Sequence, residues 1–214
     1  MPVADFSDIE SIARAELDPK FEARETAIRN GRNIIRASAN AIRSIHRGEL
    51  DAARTLMDEA HRLVVESTAA LEGHPDINVG ILNDAAKEYA EARTFMALAH
   101  GEALPTPDEL GMRSAPYLHG LGEAVGELRR RLLDQLRAGH LDSAEELLGM
   151  MDEVVDLLAS LDYPDGMTGG LRRTTDVSRS LVERSRADLT NTMIQERLRA
   201  DLARMVPEDG SGAT

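Results

Sequence analysis

Apolar residues recur at three- and four-residue spacing through nearly the whole chain, and only short clusters of glycine and proline interrupt the rhythm. That pattern admits helices packed on helices and little else. The periodic runs fall at residues 6–16, 18–47, 50–71, 77–100, 114–139, 142–161 and 170–205, which predicts seven helices and no sheet. Asp18-Pro19 reads as an N-cap followed by proline at the first helical position, opening the long second run. Gly48 and the Glu72-Gly73-His74-Pro75 cluster stop the next two. The stretches from Gly101 to Gly111 and from Asp162 to Gly170 are the clearest loops. The sequence around Gly48-Glu49-Leu50-Asp51 is echoed at Gly139-His140-Leu141-Asp142. A single echo sets no repeat period, so it is read as shared turn chemistry, a glycine C-cap followed by an aspartate N-cap.

Aromatic residues make up only 3% of the chain and tryptophan is absent, so the core must come from Leu, Ile, Val, Met and Ala, a palette suited to helices. With 214 residues the chain is read as one helical domain, 1–205, with a disordered tail at 206–214. The absence of cysteine excludes a disulfide framework, thiolate-bound zinc and a cysteine nucleophile. No apolar run reaches the roughly 18–20 residues of a membrane span, and the start is no signal peptide. The expectation is a soluble, cytoplasmic protein with no membrane partner.

Two segments carry chemistry. Asp84-Ala-Ala-Lys87-Glu88-Tyr89-Ala90-Glu91 and His119-Gly-Leu-Gly-Glu123-Ala-Val-Gly-Glu127 each set carboxylates one helical turn apart, at i,i+3 and i,i+4. If the two faces oppose each other in a bundle, Glu88, Glu91, Glu123 and Glu127 converge. Four such groups either raise one another's pKa or hold a hard divalent cation such as Mg²⁺. In a chain with 38 acidic residues, pairs at this spacing also arise by chance, as at Glu22/Glu25 and Glu153/Asp156, and then mark a solvated face. The surroundings favour the chemical reading: Ala85, Ala86, Tyr89, Ala90, Ala92 and Phe95 around the first pair, and Gly120, Gly122, Ala124, Val125 and Gly126 around the second. Carboxylates among small and apolar neighbours are usually paired, protonated or metal-bound. His119, one turn before Glu123, either joins that face as a ligand or proton carrier or is a hydrogen-bonded structural residue. No Glu-x-x-His pair is present, which argues against a di-iron bundle.

The formal net charge is −13, and all but Lys20 and Lys87 of the 25 basic residues are arginine. So acidic a chain is poorly suited to wrapping duplex DNA by bulk electrostatics. Arginines gathered on one surface are another matter. Arg29, Arg32, Arg36, Arg43 and Arg47 fall within an arc of about 60° on one helix, with no acid between Arg29 and Arg47. Such a stripe either pairs with acids of a neighbouring helix or subunit, or grips phosphates, onto which guanidinium forks well. No aromatic residues interleave, so base stacking is not indicated.

The acidic segments also point to a family. Glu88-Tyr89-Ala90-Glu91-Ala92 resembles the EYVEA segment of translin-associated factor X, and Gly122-Glu123-Ala-Val-Gly126-Glu127-Leu128 resembles its AD-x-x-GEL segment. The arginine series with His46, the Gly139-x-Leu141-Asp142 junction and the helix count resemble the same translin superfamily, in an archaeal factor-X-like form. The resemblance implies an all-α subunit, a seven-helix antiparallel bundle that assembles into a hollow homo-oligomer, usually an octamer. It also implies Mg²⁺-dependent cleavage of single-stranded RNA inside the shell, with Mn²⁺ as the substitute ion and single-stranded DNA as a second ligand. By position, Glu88, Glu91, Glu123 and Glu127 take the catalytic and metal-binding roles; position 123 carries Glu where the family has Asp. The stretch before Glu88, Ile77 to Asn83, lacks translin's basic, His-rich patch, which leaves the arginine stripe as the first candidate for RNA binding. Two rivals stand: a non-catalytic scaffold for single strands, and a helical nucleoside-triphosphate pyrophosphatase. The latter would require a Glu-x-x-Asp a few turns downstream of Glu88/Glu91, and Glu123/Glu127 has the wrong spacing.

Overall fold

In the computed structural model, which describes residues 6–77 and 80–205, seven helices and no strand are present among the described residues. They are α1 (Ser7–His46), α2 (Leu50–Leu71), α3 (Gly80–His100), α4 (Ser114–Ala138), α5 (Leu141–Ser160), α6 (Asp165–Thr168) and α7 (Leu171–Met205). The expected tail at 206–214 lies outside the described residues. No helix among them is long and apolar enough to cross a membrane.

The helix count agrees with expectation, but the division differs at both ends. Asp18-Pro19 starts nothing; Pro19 lies inside one 40-residue helix. Proline withholds the N–H that would bond the carbonyl of residue 15, a loss that matters most where water is excluded. Ala15 and its neighbours are exposed, so that carbonyl is open to solvent. Lys20 helps hold the stretch, bridging Glu16 on its own helix and Asp76 beyond α2, each at 2.8 Å. The seventh helix is instead the single turn α6, within the loop expected from Asp162 to Gly170.

The two echoed junctions are built alike. Gly48 and Gly139 adopt φ of 76° and 80°, the left-handed region that glycine enters without a side-chain clash. Each lets the following N–H reach back five residues: Glu49 N–H donates to Ser44 O and His140 N–H to Gln135 O, both at 2.9 Å. The N-cap positions are Glu49 and His140, so Asp51 and Asp142 sit inside the first turn rather than capping it. There they complement the helix dipole.

Helix α1 lies against α2 and α3, α3 against α4, and α4 against α5 and α7, which also touch each other. The core is aliphatic as expected, with Ile34, Ile45, Leu121, Val125, Leu128, Leu132 and Met151 fully buried. Two of the chain's few aromatics, Tyr89 and Phe95, are buried with them on α3. Many contact positions are alanine with no exposure, among them Ala27, Ala41, Ala85, Ala90, Ala92 and Ala124. Small side chains let helix axes approach closely, and the closest approaches occur where α3, α4 and α7 meet. The outer ends of the longest helices do the reverse. Phe6 just before α1, Ile9, Ile12, Leu17 and Phe21 on it, and Ile194, Leu198, Leu202 and Met205 on α7, are all more than half exposed.

Candidate metal centre and nucleic-acid interface

Two glycines on α4 bring three helices together. A Cβ at Gly120 would collide with the Lys87 carbonyl and stand 2.6 Å from Ala90 Cβ and 2.7 Å from Glu91 N. A Cβ at Gly122 would overlap Thr174 Cγ2 and meet Leu158 Cδ1 at 3.1 Å. At Gly120 only glycine lets α4 press its backbone onto the backbone of α3, and at Gly122 the missing side chain leaves room for Thr174 of α7. The Ser178 hydroxyl uses that proximity, donating to the Gly122 carbonyl at 2.9 Å.

At this junction the acidic pairs converge in part. Glu88, Glu91 and Glu123 each offer an oxygen, and the three oxygens lie within 4.8 Å of one another. Glu127, one turn further along α4, accepts a 2.5 Å hydrogen bond from His46 Nε2 of α1. That imidazole is nearly buried and rests against the Phe95 ring, with centroids 5.0 Å apart. Glu127 thus stands beside the triad and acts on it through its charge, while its carboxylate is occupied by His46.

The electrostatics follow from this packing. Burial, reinforced by the charges of Glu123, Glu88 and Glu127, pushes the Glu91 carboxyl up to about 8. Burial also raises Glu88, with Glu123 and Asp84 adding to the effect and Lys87 opposing it. Lys87 forms ion pairs with the triad: its Nζ lies 2.9 Å from Glu123 Oε1 and 3.8 Å from Glu88 Oε1. Burial alone would lower the Lys87 ammonium, but the hydrogen bond to Glu123 and the charges of Glu123, Glu88 and Asp84 raise it. Three carboxylates against one ammonium leave an excess of negative charge in a partly desolvated place. Hard oxygen donors with that excess suit Mg²⁺ or Mn²⁺, which take a few carboxylates and keep several waters.

His119 does not join the acidic face. Its Nε2 donates to the Thr168 carbonyl at 2.8 Å and its Nδ1 lies 2.7 Å from the Thr174 hydroxyl, so it fastens the α6–α7 turn to α4. Glu153 and Asp156 are exposed on α5 and take no part in the cluster.

The arginine stripe occupies the outer face of α1, opposite Ala27, Ile34, Ala41 and Ile45. All five arginines are exposed. Arg36 and Arg43 donate to Asn33 and Asn40 on the same helix, and Arg29 reaches Thr26 at 3.4 Å. Arg47 forms an ion pair with Glu49 at 2.6 Å; no other arginine of the stripe pairs with an acid among the described residues. None of the five acts electrostatically on Glu88 or Glu91. Stripe and cluster are therefore separate within one chain. The basic groups near the carboxylates, missed in the sequence, are Lys87 and, across a cavity between α4 and α7, Arg173.

Comparison with solved structures places this geometry. The chain is similar to AfC3PO in its complex with duplex RNA, a translin-family protein: 31% identical, TM-score 0.79, covering 86% of this chain and 96% of the other. This chain belongs to the translin family. A second structure of AfC3PO matches at 30% identity with a TM-score of 0.76, covering 86% and 97% of the two chains. NeC3PO in its apo form, 19% identical with a TM-score of 0.73 over 90% and 99%, shares the fold. An uncharacterized protein of Methanocaldococcus jannaschii is 27% identical over 188 residues, 87% of this chain and 83% of its own. No protein-family model matches the chain. Within the translin fold, the pairing of α3 with α4 that the two acidic segments required is present, and the Glu at position 123 both belongs to the triad and pairs with Lys87.

Proposed function

We propose that this translin-family protein is a metal-dependent endoribonuclease that cuts single-stranded RNA with the carboxylates of Glu88, Glu91 and Glu123. The observation that carries this reading is their convergence from two helices in a place where burial and mutual repulsion disfavour three free charges. A divalent cation bound there would supply an activated water and neutralise charge building on the phosphodiester. The chain's own groups do the rest. Glu88, Glu91 and Glu123 would hold the ion, and His46 keeps Glu127 beside them as a further negative charge. As the water's oxygen bonds to phosphorus, its proton would pass to solvent or a carboxylate, while the P–O ester bond breaks and the leaving ribose oxygen takes a proton from solvent. Lys87 already lies among the carboxylates, a cation available to a phosphate oxygen once an ion displaces it from Glu123.

RNA as the ligand is supported by the relative AfC3PO, whose structure holds duplex RNA. The preference for a single strand is the expectation from the factor-X resemblance, with single-stranded DNA as a second ligand, and the cytoplasm is where such a substrate would be met. Assembly into a homo-oligomer, with an octamer as the expected size, is supported by the exposed apolar residues at the outer ends of α1 and α7. Light scattering that found only a 23.4 kDa monomer would remove that part of the reading. The ion pair between Lys87 and Glu123 favours a second reading, in which the cluster is quenched internally and the protein binds RNA without cutting it.

The test is a side-by-side assay of single-stranded RNA, duplex RNA, single-stranded DNA and deoxynucleoside triphosphates with Mg²⁺. The nuclease reading predicts cleavage of single-stranded RNA, lost by at least about a hundredfold in Glu88→Gln/Glu91→Gln while RNA binding persists. Wild-type cleavage by that double variant would overturn it, and RNA binding with no cleavage by the unaltered protein would favour the scaffold.

A further inference from the structure

We propose that the cavity between α4 and α7 is the subsite for the nucleotide beside the cut phosphate, with Arg173 as the residue that grips that nucleotide's phosphate. The proposal rests on the nuclease reading and adds to it where the strand lies. The cavity, about 380 Å³, has Glu91 and Glu123 on one wall and Arg173, Thr174, Val177 and Leu181 on the other. Its size is at the small end of ligand sites and suits one nucleotide unit.

The two walls are chemically opposite, as a phosphodiester next to a metal-binding triad requires. The carboxylates repel RNA, so a cation must stand close enough to hold the strand yet far enough not to quench them. Arg173 meets both conditions. It lines the cavity with Glu91 and Glu123, makes no ion pair among the described residues, and contributes nothing to the Glu91 electrostatics. Elsewhere on α7, Arg179 pairs with Asp176 and Arg186 with Asp152, whereas Arg184 and Arg197 form no ion pair among the described residues. What sets Arg173 apart is its place on the cavity wall opposite Glu91 and Glu123.

The remaining wall fits the rest of a nucleotide. Val177 is 55% exposed and, with Leu181, offers an apolar floor to a sugar edge. The backbone that carries Arg173 is held in place, because His119 ties both Thr168 and Thr174, on either side of the turn, to α4. A neighbouring groove of about 650 Å³ shares Arg173 and Val177 with the cavity, and there Arg172 and Arg173 face Asp165 and Asp176, so the cationic grip on the strand is concentrated at Arg173 beside the triad.

The experiment measures anisotropy of a fluorescein-labelled decauridylate against Glu88→Gln/Glu91→Gln protein, alone and with Arg173→Ala, Arg173→Lys or Arg173→Glu added, over a salt series. The account expects Arg173→Ala to weaken binding about tenfold at low salt and to flatten the salt slope by about 0.7, one phosphate contact on a single strand. Arg173→Lys should fall between, keeping the charge and losing the fork, and Arg173→Glu should bind least. Arg173→Ala placed in the otherwise unaltered protein should leave Mn²⁺ binding unchanged by calorimetry. Parental affinity and slope in both Arg173→Ala and Arg173→Glu would overturn the subsite. That failure is distinct from failure of the nuclease reading, which shows as wild-type cleavage by the Glu88→Gln/Glu91→Gln protein whatever Arg173 does.

Discussion

The arginine stripe of α1 and the carboxylate cluster of α3 and α4 are equally periodic in sequence, yet they end in different physical situations. The stripe stays on the outer face of its helix, exposed and, apart from Arg47, without acidic partners. The cluster is drawn inward, where Glu91 is pushed up to about 8 by burial and neighbouring charge. Helical spacing alone creates a face. A site needs a second helix close enough for two faces to share charge, and here Gly120 and Gly122 supply that approach. The stripe has no such neighbour among the described residues.

The largest effect expected from breaking this contrast is at Gly120. Gly120→Val forces side-chain atoms into the Lys87 and Glu91 backbone, so denaturant unfolding should show a loss of about 3 kcal/mol or misfolding, with metal binding lost in whatever folds. Wild-type stability would mean that α3 and α4 are not held at this spacing.

A smaller effect follows from Glu91. Its folded pKa lies above the ordinary carboxylate value, so between about pH 5 and 8 the metal-free folded state binds the proton more tightly than the unfolded chain. Stability of the metal-free protein should therefore fall as pH rises through that window. Glu91→Gln should remove most of the decline, and Mn²⁺ should offset it. A flat wild-type profile from pH 5 to 8 would contradict the burial of Glu91.

Lys87→Met sharpens the comparison from the other side. Removing the ammonium that pairs with Glu123 should tighten Mn²⁺ binding several-fold in calorimetry, because the ion no longer competes with it. Weaker binding would show that Lys87 orients Glu123 for the metal rather than competing with it.

The smallest effect on stability belongs to the stripe. Arg32→Ala/Arg36→Ala should change unfolding free energy by less than about 0.5 kcal/mol, since both side chains are exposed and neither forms an ion pair. If the stripe contacts RNA, the same pair should lower the salt slope of single-strand binding by one to two units, roughly one per lost phosphate contact. Unchanged affinity and slope would leave the stripe to contacts between subunits.

Much of this architecture was legible because its causes are local. Periodicity, Gly48, Gly139 and the two loops mark helix ends through backbone sterics that a sequence displays directly. Pro19 misled because its cost depends on whether the carbonyl it deprives is wet, and that depends on how far α1 projects beyond the bundle. The acidic pairs were legible as spacing, but the split between the Glu88–Glu91–Glu123 triad and Glu127 was not. His46, 81 residues away, hydrogen-bonds one oxygen of the Glu127 carboxylate, a contact that helical spacing does not display. Lys87 lay in plain view inside the acidic segment, yet a lysine next to a glutamate on a helix reads as ordinary surface pairing. Arg173 left no signal at all, because it reaches the site through the contact of α7 with α4.

The claim on which everything else turns is that Glu88, Glu91 and Glu123 form one cation site. The most direct measurement is calorimetric or electron-spin titration of the protein with Mn²⁺ at pH 8, beside the Glu88→Gln/Glu91→Gln variant. The account predicts saturable binding of about one ion per chain, lost in the double variant while its helical content and assembly are unchanged. Equal Mn²⁺ binding by both proteins, or none by the unaltered one, would contradict it.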